Sequence, residues 1–134
     1  MITTEIQIRF SDMDMLRHAN NVALYHYYDL GIRDYFRSVM LFSEDQRRDQ
    51  MIAKVKATAN FFAPIHLNDN IEVNTFVIKI GNRSLTFYQE VVDKDTKMVK
   101  SSCESIFAGY DLLKESSCEV DPHWKELIKE HEKL

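Results

Sequence analysis

The order of elements legible in the chain predicts an α+β domain, with one long apolar helix set between a first strand and a run of four further antiparallel strands. Two observations carry this. Residues 20–40 lack proline and space their polar positions at three and four, the period of a helix. Beyond residue 50 the pattern changes to alternation, broken by short joints rich in turn residues.

Residues 5–10 alternate, with Ile6, Ile8 and Phe10 on one face and Glu5, Gln7 and Arg9 on the other, which predicts a half-buried strand. The helix follows. Its polar stripe is His26, Asp29, Arg33 and Arg37, while Val22, Leu24, Tyr25, Tyr28, Leu30, Ile32, Tyr35 and Phe36 cover most of the remaining circumference. A largely buried helix is expected, capped by Asn20 or Asn21, whose side chain can accept from a free first-turn amide. Asp29 and Arg33 stand four apart, the spacing of a modest surface pair. Gly31 costs the helix up to ~1 kcal/mol unless another element packs closely there.

Residues 43–50 read as a loop. Met51, Ala53, Val55, Ala57, Ala59 and Phe61 then form one face of a long strand, whose alanines would let a helix approach closely; Pro64 ends it. Strands over 70–80, 83–93 and 98–110 follow, joined at Gly81-Asn82 and across 94–97, so hairpins are expected. Near Thr75 the apolar face changes sides, which suggests a bulge. Asp121-Pro122 opens a short charged helix over 123–133, expected on the surface. With one helix to cover it, much of the sheet is left bare, and self-association is the expected remedy.

The 134 residues are 45% hydrophobic and 28% charged, with 3 glycines and 2 prolines, a composition that fits one compact domain over 1–134 with a core of its own. Lys plus Arg total 17 against 21 acidic residues, a formal charge of −4 with no basic cluster, which disfavours nucleic acid. Cys103 and Cys118 fit no metal-ligand spacing and are expected as free thiols in the cytoplasm. Neither a signal peptide nor a membrane span is expected. Asp93-x-Asp95 lacks the glycine and closing glutamate of a calcium loop, and reads as a hairpin turn.

Chemistry concentrates between the first strand and the helix, in Asp12-x-Asp14, His18 and Asn20-Asn21. A carboxylate beside a helix amino terminus stands next to unpaired amides able to hold an oxyanion, so one segment can supply a base and an electrostatic stabiliser. Hydrolysis of an activated carbonyl fits. Asp, His and Asn are also common turn formers and caps in such loops. A metal site on Asp12, Asp14 and His18 would lack a fourth ligand.

The stretch RFSDMDMLRHANN at 9–21, followed by Tyr27-Tyr28-Asp29-Leu30-Gly31, resembles the amino-terminal signature of the 4-hydroxybenzoyl-CoA thioesterase family of hot-dog-fold acyl-CoA thioesterases. Phe62-Ala63-Pro64-Ile65, Asp69 and Gly81-Asn82-Arg83-Ser84 extend the resemblance over about residues 5–113. It implies a hot-dog fold, a sheet wrapped around its helix, and hydrolysis of an acyl-CoA to a free acid and CoA. Asp14 matches the family's catalytic carboxylate, as general base or as nucleophile, and the amide of Asn21 matches the donor that polarises the carbonyl. His18 matches a frequent family histidine, which either assists proton transfer or only anchors the loop; Asp12 reads as structural.

The resemblance also implies a homodimer or homotetramer with coenzyme bound between protomers, and no cofactor beyond the CoA of the substrate. Arg83, beside Ser84, is a candidate for its phosphates, as are Lys54 and Lys56. Tyr25, Tyr28, Phe61 and Phe62 are candidates for an acyl pocket, with Asn60 beside them. One position departs from the pattern: Arg17 stands where the family prefers glycine. That departure motivates a second reading, a non-catalytic acyl-CoA-binding module, and a third keeps the enzyme but exchanges CoA for acyl carrier protein.

Overall fold

The computed structural model describes residues 1–42 and 48–134. The elements run β1 (Ile2–Glu5), α1 (Asn21–Ser38), β2 (Gln50–Phe61), β3 (Ile71–Ile80), β4 (Ser84–Asp93), β5 (Val99–Asp111), β6 (Ser116–Cys118) and α2 (Pro122–Glu132). The six strands form one antiparallel sheet in the order β1-β3-β4-β5-β2, with β6 also on β5. The predicted α+β class holds, and of the loop expected over 43–50, residues 43–47 lie outside the described residues.

Helix α1 packs on β1, β3 and β4, and the core divides into two parts along it. Tyr28, Val73 and Val91 belong to one part; Ile32, Val77 and Phe87 belong to the other. Between them in the sequence lie Gly31, Thr75 and Gln89, one on each element. The buried Gln89 amide donates to the Tyr28 carbonyl (2.8 Å) and to Thr75 Oγ1 (3.0 Å), so a polar plug under the helix is paired. Gly31 makes this possible: a Cβ there would stand 2.6 Å from both Gln89 Nε2 and Thr75 Oγ1. The helical cost of glycine is thus offset by close approach.

Several expectations are corrected. The first strand occupies Ile2–Glu5, pairing with β3, and the chain leaves it early; Phe10 ends 84% exposed, in a 3-10 turn over Phe10–Asp12. The buried face of β3 runs unbroken from Ile71 through Thr75 to Val77, and the register shift falls later, between Val77 and Lys79. Helix α1 is less covered than its composition suggests, because Val22, Tyr25 and Leu30 are exposed. Across to β2, the Asp29 carboxylate also accepts from Lys54 Nζ at 2.8 Å, a contact that the spacing of Asp29 and Arg33 did not announce.

Strand β2, expected to lie under the helix, is mostly exposed on both faces and is shifted in register between Lys54 and Lys56. Helix α2 lies on the surface as expected but is seated through one apolar stripe. Its charged face hides Trp124 and Ile128, both fully buried against Phe36, Val120 and the second core part. Arg48 lies 4.2 Å over the Trp124 ring and pairs with Asp121, whose side chain caps α2 by accepting from the His123 amide.

Candidate active site

The loop between β1 and α1 is a compact hairpin-like turn. Met13 and Ala19 form a bridge, the Asp14 amide donates to the His18 carbonyl (2.9 Å), and the Arg17 amide donates to the Asp14 carbonyl (3.0 Å). A turn closed this way needs a left-handed residue at its end. Arg17 supplies it at φ 64°, a conformation that costs an L-residue roughly 1–2 kcal/mol and that glycine adopts freely.

Asp12 ties the turn to the helix. Its buried carboxylate accepts from Tyr27 Oη (2.6 Å) and the Arg9 amide (2.9 Å), with the Arg9 guanidinium at 3.3 Å. Burial pushes this carboxyl up, but the Tyr27 hydroxyl, the Arg9 amide and the Arg9 charge outweigh it and hold it below the ordinary aspartate value. Burial of the Tyr27 hydroxyl and the same contact drive it upward. This geometry matches the structural reading of Asp12.

Asp14 stands one alternation further on and is exposed. Its Oδ1 accepts from the amides of Leu16 (2.8 Å) and His18 (3.3 Å), an Asx-type turn, while Oδ2 has no hydrogen-bond partner among the described residues. Helix α1 opens directly after: Asn20 is the cap, its side chain taking the Ala23 amide at 2.8 Å. The amides of Asn21 and Val22 have no protein acceptor among the described residues, so they stay available at the positive end of the helix.

Asp14, His18 and Asn21 line one cleft of about 310 Å³ together with Leu24 and the segment from Phe61 to Ile65. The far wall is fixed by a hydrogen bond from the Ala19 amide to the Ile65 carbonyl (2.8 Å). The carboxylate-bearing Asp14 and Asn21, whose amide is free, thus share a cavity lined in part by apolar side chains, which can hold a carbonyl compound and deliver a base to it.

The other candidates separate. Phe61 and Phe62 line the cleft, Tyr28 is core, and Tyr25 lies outside the cleft lining. The Asn60 carbonyl accepts from Ser101 Oγ, and its side chain stands 3.4 Å from Ser102 Oγ. Arg83 and Ser84 are at the opposite end of the sheet, because Phe61 pairs with Ser101 opposite Val91 while Ser84 begins β4, about 23 Å away at strand rise. Arg83 donates to the Ser117 carbonyl (2.8 Å) and hydroxyl of β6, so within one chain it does not reach the cleft. Lys54 is paired with Asp29.

Sequence reasoning missed Leu24 and the Ala63–Ile65 wall as cleft residues, although Pro64 as a strand end and the leading aromatic pair marked the place. It also missed His66, whose ring meets that of His18 edge-on at 5.2 Å and whose amide donates to Asp69 Oδ2 (2.8 Å). No group of three or more His, Cys, Asp or Glu able to hold a metal occurs among the described residues. No described helix is long and apolar enough to cross a membrane.

Sheet, central helix and cleft together define a hot-dog domain. The sequence profile of the thioesterase-like superfamily matches residues 8–128, and the chain belongs to that superfamily. This is coarser than the 4-hydroxybenzoyl-CoA thioesterase family that the loop motif resembles. No curated protein matches by sequence.

Among solved structures, Slr0204, a 1,4-dihydroxy-2-naphthoyl-CoA thioesterase from Synechocystis, is 17% identical over 94% of this chain and 93% of its own, with a TM-score of 0.83. SAV2348 from Staphylococcus aureus, solved in complex with CoA, is 13% identical over 98% and 83%, with a TM-score of 0.88. A thioesterase from Thermus thermophilus, complexed with coenzyme A and Zn, is 21% identical over 98% and 94%, with a TM-score of 0.81. At these identities the likeness is one of fold.

Proposed function

We propose that the protein is an acyl-CoA thioesterase that hydrolyses an acyl-CoA to a free carboxylic acid and CoA. The observation that carries this is the shared cleft: the Asp14 carboxylate and the free amide of Asn21 open onto the same cavity. The thioester oxygen accepts from the Asn21 amide, where the helix dipole stabilises the charge that develops on it. Asp14 then either takes a proton from water as that water attacks the carbonyl carbon, or attacks the carbon through its free oxygen to form an anhydride that water opens. In both routes the tetrahedral intermediate collapses by expelling the CoA thiolate. His18, on the same wall, orients the loop or relays a proton to the leaving group. Superfamily membership and two neighbours solved with CoA support this choice of carrier.

The working unit is a homodimer or homotetramer. Both faces of β2 and the Val22, Tyr25 and Leu30 side of α1 are largely bare in one chain, and an exposed apolar surface of this kind marks an association site. Arg83 and Ser84, remote from their own cleft, are then candidates for a coenzyme held between protomers.

The test is release of thiol from a chain-length series of acyl-CoA esters by the purified protein. Asp14→Asn is expected to lower turnover by roughly 10²–10⁴-fold with the fold intact. Full turnover in that variant contradicts the role of Asp14. Binding without any thiol release would identify a non-catalytic module, and release from acyl carrier protein esters alone would change the carrier.

A further inference from the structure

A second cavity, of about 370 Å³, meets the first at Asp14 and is otherwise lined by Phe10, Met13, Arg17 and Leu67. Asp14 is therefore shared by two cavities, and a thioester whose carbonyl sits at Asp14 has two arms to place. Apart from Asp14 and Arg17 this second cavity is walled by apolar side chains. Its walls of Phe10, Met13 and Leu67 suit an acyl arm.

Arg17 gives that cavity its character. The turn would close without strain on glycine, yet an arginine holds the left-handed position at φ 64°. Its exposed guanidinium has no ion-pair or hydrogen-bond partner among the described residues, so it is free to meet an anion at the wall of the cavity. The neighbouring Asp14 carboxylate is turned to its own loop through Oδ1, which accepts the Leu16 and His18 amides. Guanidinium binds a carboxylate through two parallel hydrogen bonds, and a methylene chain between that carboxylate and the thioester would lie along Phe10, Met13 and Leu67.

We propose that this cavity takes the acyl arm and that Arg17 selects acyl groups ending in a carboxylate, so that the substrate class is monothioesters of dicarboxylic acids. The proposal rests on the thioesterase reading and adds to it a substrate class and a specificity-determining residue.

The experiment compares adipoyl-CoA with hexanoyl-CoA, equal in chain length and coenzyme, for the wild type, Arg17→Met and Arg17→Lys. The wild type is expected to favour adipoyl-CoA at least tenfold in kcat/KM. Arg17→Met should lose at least tenfold more on adipoyl-CoA than on hexanoyl-CoA, with Arg17→Lys in between. Equal treatment of the two esters by the wild type overturns the proposal. So does an equal loss on both in Arg17→Met, which would place a coenzyme phosphate on Arg17. Should neither ester release thiol, the hydrolase reading fails and calorimetric binding of the same two esters decides separately. A tenfold preference for adipoyl-CoA that Arg17→Met removes sustains the cavity's selectivity, and equal affinity or no binding refutes it.

Discussion

At the scale of single residues, the loop and the helix are held by groups whose removal has a calculable sign. Asp12 has a carboxyl value below that of the unfolded chain, so the unfolded state binds the proton first as the pH falls. Its stabilisation is present above about pH 4 and is lost as the pH drops through the lowered folded value. Asp12→Asn is expected to cost about 2 kcal/mol at neutral pH and to flatten the acid limb of the stability curve, as measured by urea unfolding from acid to neutral pH. Gly31→Ala gains up to ~1 kcal/mol of helix propensity, but its Cβ collides with Gln89 and Thr75, and overpacking of roughly 1–3 kcal/mol decides the sign. A net loss of about 1–2 kcal/mol in equilibrium unfolding is expected; a stabilised variant would show that the helix does not approach the sheet as closely as described.

At the scale of elements, the decisive surprise is α2, which is rich in Lys, Glu and His yet seats Trp124 and Ile128 in the core. Trp124→Ala should cost about 3–5 kcal/mol and release Arg48 from its ring, read as a lowered midpoint in guanidinium unfolding. A loss under about 1 kcal/mol would mean that α2 is only docked. The i, i+4 spacing of Trp124 and Ile128 was the legible signal, and the surrounding Lys and Glu residues outweighed it. Strands β3, β4 and β5 and helix α1 were legible almost to their ends because alternation and the three-four spacing are written directly in their apolar positions. The first strand was misplaced because Ile6, Ile8 and Phe10 continue the alternation past the point where Asp12 draws the chain into a 3-10 turn. Strand β6 has no apolar signal at all, since Ser116, Ser117 and Cys118 pair with β5 only because the hairpin returns there. In the site, Asp14, His18 and Asn21 were legible as a motif, while His66 and the Ala63–Ile65 wall lie far along the chain and are joined to it only by tertiary contacts.

At the scale of the whole molecule, most of β2 is left exposed in one chain, and the expected state in solution is a dimer or tetramer. Sedimentation equilibrium should show it, and Val55→Glu, at an exposed position in the middle of β2, should shift the protein toward monomer; a wild type that is monomeric at every concentration contradicts the assembly. The proposed hydrolysis depends on something narrower than the assembly, the position of a thioester relative to Asp14 in the loop and the Asn21 amide at the start of α1. That position is tested most directly by a crystal structure of the protein with a non-hydrolysable acyl-CoA analogue, in which the distances from the carbonyl are measured. The expected result is a carbonyl carbon within about 3.5 Å of an Asp14 carboxylate oxygen or of a water that this oxygen holds, with the carbonyl oxygen at hydrogen-bond distance from the Asn21 amide. An analogue bound with its carbonyl outside the cleft shared by Asp14, His18 and Asn21 would contradict it.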